Sequence, residues 1–287
     1  MKVLPVNPRG YCHGVVTAIR KAREVELAEA GPIYMLGYLV HNEHLTNDLE
    51  ELGVQLIDVD DRAAGLEKIT EGTVIFTAHG ISPSVRDKAE KQGLKCVDTT
   101  CSDVQKTHDL IIDLVETGHQ IIYIGRQGHP EAVGCVGEAP EFVHLVEDSD
   151  DVDELVLDSR NIAVTTQTTL SVWDTAEVIR AIRKRYPQAQ IFNEICAATQ
   201  DRQEAIVEVA LKADLVLVVG SRRSSNSQRL VEVTKQRTGK QAYLIDSVSE
   251  INPAWLDGCN TVAVSSGAST PSPLTREVIK HLEALPS

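Results

Sequence analysis

The chain has 287 residues, 42 % of them hydrophobic and 24 % charged, a size suited to two or three compact units and a composition that excludes disordered, collagen-like and disulfide-scaffold classes. Lys and Arg number 28 against 42 Asp and Glu, a formal charge of −14, which opposes nucleic acid and anionic membrane surfaces, so an anionic ligand needs a local site. No apolar run approaches the roughly 18 residues of a membrane helix, and Met1 to Gly10 holds two prolines and no apolar signal core, so the expectation is a cytoplasmic protein with neither membrane nor nucleic acid as partner.

In chain order, a strand over Lys2 to Val6 leads through Cys12 to a helix of about Val15 to Ala30. Strands at Pro32 to Leu36 and Thr73 to Phe76 then lead to the polar turns His41-Asn42 and Ala78-His79-Gly80. The pattern restarts with a strand over Leu94 to Val97, Cys101 and a helix from Val104 to Glu116. Strands at Gln120 to Ile124 and Asn161 to Val164 lead to Gly128-His129-Pro130-Glu131 and Thr166-Gln167-Thr168-Thr169. A third copy has a strand over Ala189 to Phe192, Cys196 and a helix from Arg202 to Ala213. Strands at Leu215 to Val219 and Thr261 to Val264 lead to Ser224-Ser225-Asn226, before a helix of Ser227 to Arg237, and to Ser266-Gly267-Ala268-Ser269.

The copies are in phase. From cysteine to first turn the offsets are 29, 28 and 29 residues (to His41, His129 and Ser225), and to the second turn 67, 67 and 73 (to His79, Thr168 and Ser269). Nine alternating strand-helix units predict an α/β fold of parallel sheets with right-handed crossovers and a ligand site outside the strands' carboxyl ends. The expected architecture is three similar lobes around a pseudo-threefold axis with a central cavity. The lobes are 14–101, 102–194, and 195–287 joined by 1–13.

Six cysteines in a chain without a secretory signal argue against a disulfide framework. Three thiolates facing one cavity could hold zinc or an iron-sulfur cluster. Zinc favours closely spaced pairs and a fourth protein ligand, whereas widely separated single cysteines suit a cluster better. A cubane normally takes four cysteines, so Cys12, Cys101 and Cys196 would leave one iron open as a Lewis acid. Cys96, Cys135 and Cys259 fall outside the phased loops and read as small hydrophobes. Ser224, Ser225, Asn226 and Ser269 precede helices, where they could cradle a phosphate or simply cap the helix. Capping does not account for His41, His79 and His129 on corresponding turns, and imidazoles are good phosphate donors. Glu131 is either a surface carboxylate favoured by the helix dipole or a proton donor beside an open metal site, with Thr168 or water as relay.

Asn7-Pro8-Arg9-Gly10-Tyr11-Cys12, Val40-His41-Asn42, Thr77-Ala78-His79-Gly80, Asp98-Thr99-Thr100-Cys101, Gly128-His129-Pro130-Glu131, Thr166-Gln167-Thr168-Thr169-Leu170-Ser171, Gly220-Ser221 with Ser224-Ser225-Asn226-Ser227, and Gly267-Ala268-Ser269 together resemble the signatures of the 4-hydroxy-3-methylbut-2-enyl diphosphate reductase family. The resemblance spans nearly the whole chain and implies the last step of the methylerythritol phosphate route to isoprenoids, a two-electron, two-proton removal of an allylic hydroxyl giving isopentenyl and dimethylallyl diphosphates. It implies a 4Fe-4S cluster on Cys12, Cys101 and Cys196, and diphosphate binding by His41, His79, His129, Ser224, Ser225, Asn226 and Ser269. Glu131 would supply protons, with Thr168 supporting the substrate hydroxyl. It also implies the three-lobed fold and a separate electron donor such as ferredoxin or flavodoxin, in keeping with the lack of a Gly-x-Gly-x-x-Gly fingerprint. Departures from the family pattern are His13 after the first cysteine, Ser102 after the second, and Ala132-Val133 after Glu131. The residues alone also suit a cluster-dependent hydro-lyase, which consumes no electrons, or a non-catalytic iron-sulfur sensor.

Overall fold

The computed structural model describes residues 1–157 and 161–285. β1 (Lys2–Pro5) and α1 (His13–Ala28) are followed by β2 (Ile33–Leu36), α2 (Glu43–Glu51), β3 (Val54–Ile57), α3 (Arg62–Gly65), β4 (Thr73–Phe76), α4 (Pro83–Lys91) and β5 (Lys95–Asp98). Next come α5 (Ser102–Glu116), β6 (Gln120–Ile124), α6 (Pro130–Val136), β7 (Val143–Val146), α7 (Ser149–Glu154), β8 (Ile162–Thr166), α8 (Val172–Arg185) and β9 (Gln190–Ile191). They lead to α9 (Ala197–Ala210), β10 (Leu215–Val219), α10 (Ser225–Thr238), β11 (Gln241–Ile245), β12 (Thr261–Ser266) and α11 (Ser272–Ala284).

The strands form three four-stranded parallel sheets in equivalent order: β3-β2-β4-β5, β7-β6-β8-β9 and β11-β10-β12-β1. Every residue of β4, β8 and β10 is buried, as expected of parallel strands covered on both faces. Val216, Leu217 and Val218 of β10 are wholly excluded from water, each adding roughly 1.5–3 kcal/mol by burial.

Among the described residues twelve strands stand where nine are predicted from the sequence. The additional three, β3, β7 and β11, occupy the same edge of each sheet. Their half-exposed positions admit Gln55, His144 and Gln241, which break the continuous apolar run that marks the inner strands. The helix after Cys196 begins at Ala197, five residues before the expected start, and ends at Ala210. The Ala197-Ala198 pair is strongly helix-forming although it carries no polar periodicity. Likewise α5 begins at Ser102 and α10 at Ser225.

The chain divides into two compact units, one of Met1–His13, His41–Leu45 and Cys196–Ser287, the other of Gly14–Val40 and Thr46–Ile195. The first contains the sheet in which β1 pairs with β12. Its apolar layers include Val6, Ile206, Val216 and Leu230 on one face and Leu217, Val264, Val278 and Leu282 on the other. The second unit contains the other two sheets, with layers around Phe76 and Val85, Ile121 and Tyr123, and Val164 and Ile182. Among the described residues no helix is long and apolar enough to cross a membrane.

Candidate active site

In the 14–40 and 46–195 unit, the loop after β6 turns into α6 through His129, the N-cap, with Pro130 in the first turn. Proline is preset for that position, and the next residue, Glu131, is carried inward. Glu131 is 1 % exposed, which rules out the surface-carboxylate alternative. Its Oε1 accepts the Thr168 backbone N–H at 2.7 Å and its Oε2 accepts the Thr168 hydroxyl at 2.9 Å. Burial pushes the carboxyl up from an ordinary 4.5 to about 7, while both Thr168 bonds and the field of His108 pull it down. A carboxyl so placed exchanges a proton near neutrality. Thr168 is held in turn by its neighbour: Gln167 accepts the Arg126 N–H at 2.9 Å and donates to the Thr169 hydroxyl at 2.9 Å.

Contrary to the expectation that capping plays no part at the histidine turns, His129 caps α6 itself, its Nδ1 accepting the Glu131 N–H at 3.2 Å. An accepting Nδ1 puts the ring proton on Nε2. Arg62 Nη2 donates to Thr77 Oγ1 at 2.9 Å, and that hydroxyl is also hydrogen-bonded to His79 Nδ1 at 3.2 Å, so at His79 too Nδ1 is engaged within the turn. The two rings meet edge-on with centroids 5.8 Å apart, so two imidazoles occupy one neighbourhood. Arg62 also donates to the Gly80 carbonyl at 2.6 Å. Burial lowers its guanidinium only to about 10, so it remains a cation at neutral pH and fixes the turn after β4.

Cys101 is the N-cap residue of α5, but its sulfur does not cap the helix. Its N–H donates to the Ala78 carbonyl at 3.0 Å, coupling it to the His79 turn. The first turn of α1 packs directly on this cysteine: a Cβ on Gly14 would lie 2.3 Å from Cys101 Sγ, so only glycine fits there.

In the other unit, Cys12 immediately precedes α1 and its N–H donates to the Ala268 carbonyl at 3.0 Å. The turn before it needs Gly10, whose φ is +77° and whose N–H donates to Ser266 Oγ at 2.8 Å. Cys196 caps α9 by position, again not through sulfur. Its Sγ lies 3.2 Å from Thr199 Oγ1, which accepts from Asn226 Nδ2 at 3.4 Å. The Cys196–Thr199 pair can be donated by either the thiol or the hydroxyl. Asn226 Oδ1 then accepts the Ala268 N–H at 3.0 Å. A continuous chain of contacts therefore runs from Cys196 through Thr199, Asn226 and Ala268 to Cys12.

Around that chain, Ser224, Ser225, Asn226 and Ser269 are all buried. Ser224 does cap α10, its Oγ accepting the Ser227 N–H at 3.2 Å, and Ser269 Oγ donates to the His41 carbonyl at 3.1 Å. The structure thus groups His41, Ser224, Ser225, Asn226, Ser269, Cys12 and Cys196 within one unit, and His79, His129, Glu131, Thr168 and Cys101 within the other.

None of the six cysteines is in a disulfide. Cys96 lies on edge strand β5 and Cys259 after β11, with burial raising both thiols. Cys135 is buried, and desolvation followed by the Glu131 charge pushes its thiol well up. Cys12 and Cys196 at helix starts in one unit, and Cys101 at a helix start in the other, are thiols of the chemistry that ligates iron-sulfur clusters.

Sequence reasoning missed Arg62, His108, Thr199 and Arg202. For the last two a signal existed: α9 buries Thr199, Arg202, Gln203, Ile206 and Ala210, a helical stripe that is polar over its first turns, where a purely structural helix would be apolar.

The model of the family described as LytB protein matches residues 3–283. The 4-hydroxy-3-methylbut-2-enyl diphosphate reductase of Symbiobacterium thermophilum is 54 % identical over 286 residues, 99 % of this chain and 97 % of that one. Its Bacillus subtilis namesake is 50 % identical over 285 residues, covering 99 % and 91 %. Among solved structures, the E-1-hydroxy-2-methyl-but-2-enyl-4-diphosphate reductase from Plasmodium falciparum superposes with a TM-score of 0.94 at 34 % identity, covering 99 % of this chain and 89 % of that one. With its three equivalent parallel sheets and a match along almost its whole length, the chain belongs to the LytB protein family.

Proposed function

We propose that the chain reductively dehydroxylates 4-hydroxy-3-methylbut-2-enyl diphosphate to isopentenyl and dimethylallyl diphosphates. Two electrons from a separate carrier such as ferredoxin or flavodoxin, with two protons, break the allylic C–O bond and release water. The carrying observation is the buried Glu131 carboxyl, held by Thr168 and poised to exchange a proton near neutrality. A sensor or cluster carrier has no use for such a group.

Cys12, Cys101 and Cys196 would hold a 4Fe-4S cluster that supplies, when bound, the electrons and an open iron with Lewis acidity toward the hydroxyl. Glu131 delivers the proton. With the carboxyl protonated, the Thr168 hydroxyl can turn from donor to acceptor and relay it. His79 and His129 present imidazole N–H groups to the diphosphate. His41, Ser224, Ser225, Asn226 and Ser269 add donors, helped by the positive amino end of α10. These local donors answer the repulsion of an anion by a chain of charge −14. Six cysteines outside disulfides and dependence on a reduced carrier fit a cytoplasmic enzyme.

Mössbauer spectroscopy of anaerobically purified, iron-57-labelled protein with and without the allylic diphosphate, followed by product analysis under a viologen reductant, tests this. The expected result is four irons, one distinct and altered by the diphosphate, with both isoprenoid diphosphates formed at the expense of electrons. A product formed without electron consumption identifies a hydro-lyase, and no cluster or an indifferent one overturns the assignment.

A further inference from the structure

Arg202 is 4 % exposed, yet among the described residues no carboxylate pairs with its guanidinium. Nη1 donates to the Ala198 carbonyl at 2.7 Å and Nη2 to the Gly10 carbonyl at 2.8 Å, while Nε is buried with no hydrogen-bond partner. Arginine stays ionised in proteins, and a buried cation without a counterion is strongly unfavourable. Its surroundings name the missing anion. Gly10 lies two residues before Cys12 and Ala198 two after Cys196. Burial lowers the guanidinium, and the charges of Cys12, Cys196 and Asp201 oppose that in part.

We propose that Arg202 is the fixed charge partner and tether of the metal cluster. Its two-pronged grip locks the Cys12 loop to the amino end of α9, and its charge stabilises the more negative, reduced state. This rests on the cluster assignment made above. It goes beyond that assignment by naming a positioning residue that ligates nothing and touches no substrate. A planar fork that reaches two carbonyls 188 residues apart in sequence, Gly10 and Ala198, serves both purposes at once.

The test compares wild type, Arg202→Gln and Arg202→Lys, each reconstituted anaerobically, by iron and sulfide content, rate of iron loss to a chelator, and midpoint potential from an EPR-monitored titration. Arg202→Gln is expected to reduce at a more negative potential and lose iron faster. Arg202→Lys, which keeps the charge but not the fork, is expected to hold the wild-type potential while losing iron faster. Wild-type potential in the glutamine variant, or an equal shift in both variants, overturns the proposal. Should circular dichroism show that Arg202→Gln does not fold, the lysine variant decides: an unchanged potential supports the charge role and a shifted one refutes it. A wild-type protein that takes up no cluster would instead overturn the cluster assignment, a distinguishable result.

Discussion

Glu131→Gln separates proton supply from architecture. The amide oxygen can accept the Thr168 N–H and the amide nitrogen can donate to the Thr168 hydroxyl, so both bonds at 2.7 and 2.9 Å survive, while the transferable proton is gone. Turnover should fall by about 10²–10⁴-fold with the affinity for the diphosphate unchanged. Stability supplies a second, independent readout. A carboxyl raised by burial from 4.5 to about 7 is neutral in both folded and unfolded states at low pH. As pH rises, the unfolded carboxyl ionises first, and stability is lost until the folded one has titrated. From pH 5 to pH 8 this costs the wild type about 2.5 kcal/mol, at about 1.4 kcal/mol per pH unit of displacement. The glutamine variant escapes that loss, so it should gain about 2.5 kcal/mol on the wild type between those two pH values. Anaerobic urea denaturation at pH 5 and pH 8 measures it. Parallel pH profiles would refute the raised carboxyl, and turnover within tenfold of wild type would remove Glu131 as the donor.

Thr168→Val deletes the hydroxyl bond that lowers the Glu131 carboxyl. The alkaline limb of the pH–rate profile, where the donor carboxyl ionises, should move upward and turnover drop roughly 10- to 100-fold, the worth of a hydrogen bond to a charged group; an unmoved profile counts against the relay. Gly14→Ala would ordinarily stabilise a helix by about 0.5–1 kcal/mol, but its Cβ would sit 2.3 Å from Cys101 Sγ. The expected protein is as helical as wild type and deficient in iron, and full iron content would show that Cys101 is not held by this contact. Cys96→Ala, on an edge strand, should leave iron per chain unchanged, and iron loss there would move the ligand role from Cys101 to Cys96.

Inner strands were readable from the sequence because burial on both faces makes them unbroken apolar runs, as in Leu215 to Val219. The edge strands β3, β7 and β11 were not, since a run such as Val54-Gln55-Leu56-Ile57 mixes polar and apolar positions and leads into no turn that carries chemistry. The same division holds at the site. Chemistry-bearing side chains lie on turns at the carboxyl ends of strands, where phase and residue type expose them. Whether Glu131 lay on the surface or inside could not be decided, because its burial depends on α6 meeting the loop after β8, 37 residues away. Arg202 was hidden for the same reason, since its partner Gly10 is 192 residues distant.

The supporting residues share a physical logic that local propensity does not encode. Arg202 is a buried and Arg62 a half-buried cation, with hydrogen bonds that go to neutral oxygens, and Glu131 is a buried carboxyl held by one threonine. Each carries a desolvation cost that an apolar side chain would not; Arg62 and Glu131 stand in the first turn of a helix that follows a strand, and Arg202 in the second turn of α9. The apolar layers on both faces of the three sheets carry the stability that lets these positions be kept for chemistry. A substitution to an apolar residue at Arg202 or Arg62 would accordingly remove function and leave the Gly10 and Ala198 or the Gly80 carbonyl unpaired, at about 1–3 kcal/mol per group, whereas truncation at Val216 or Leu217, wholly buried in β10, acts through lost apolar burial.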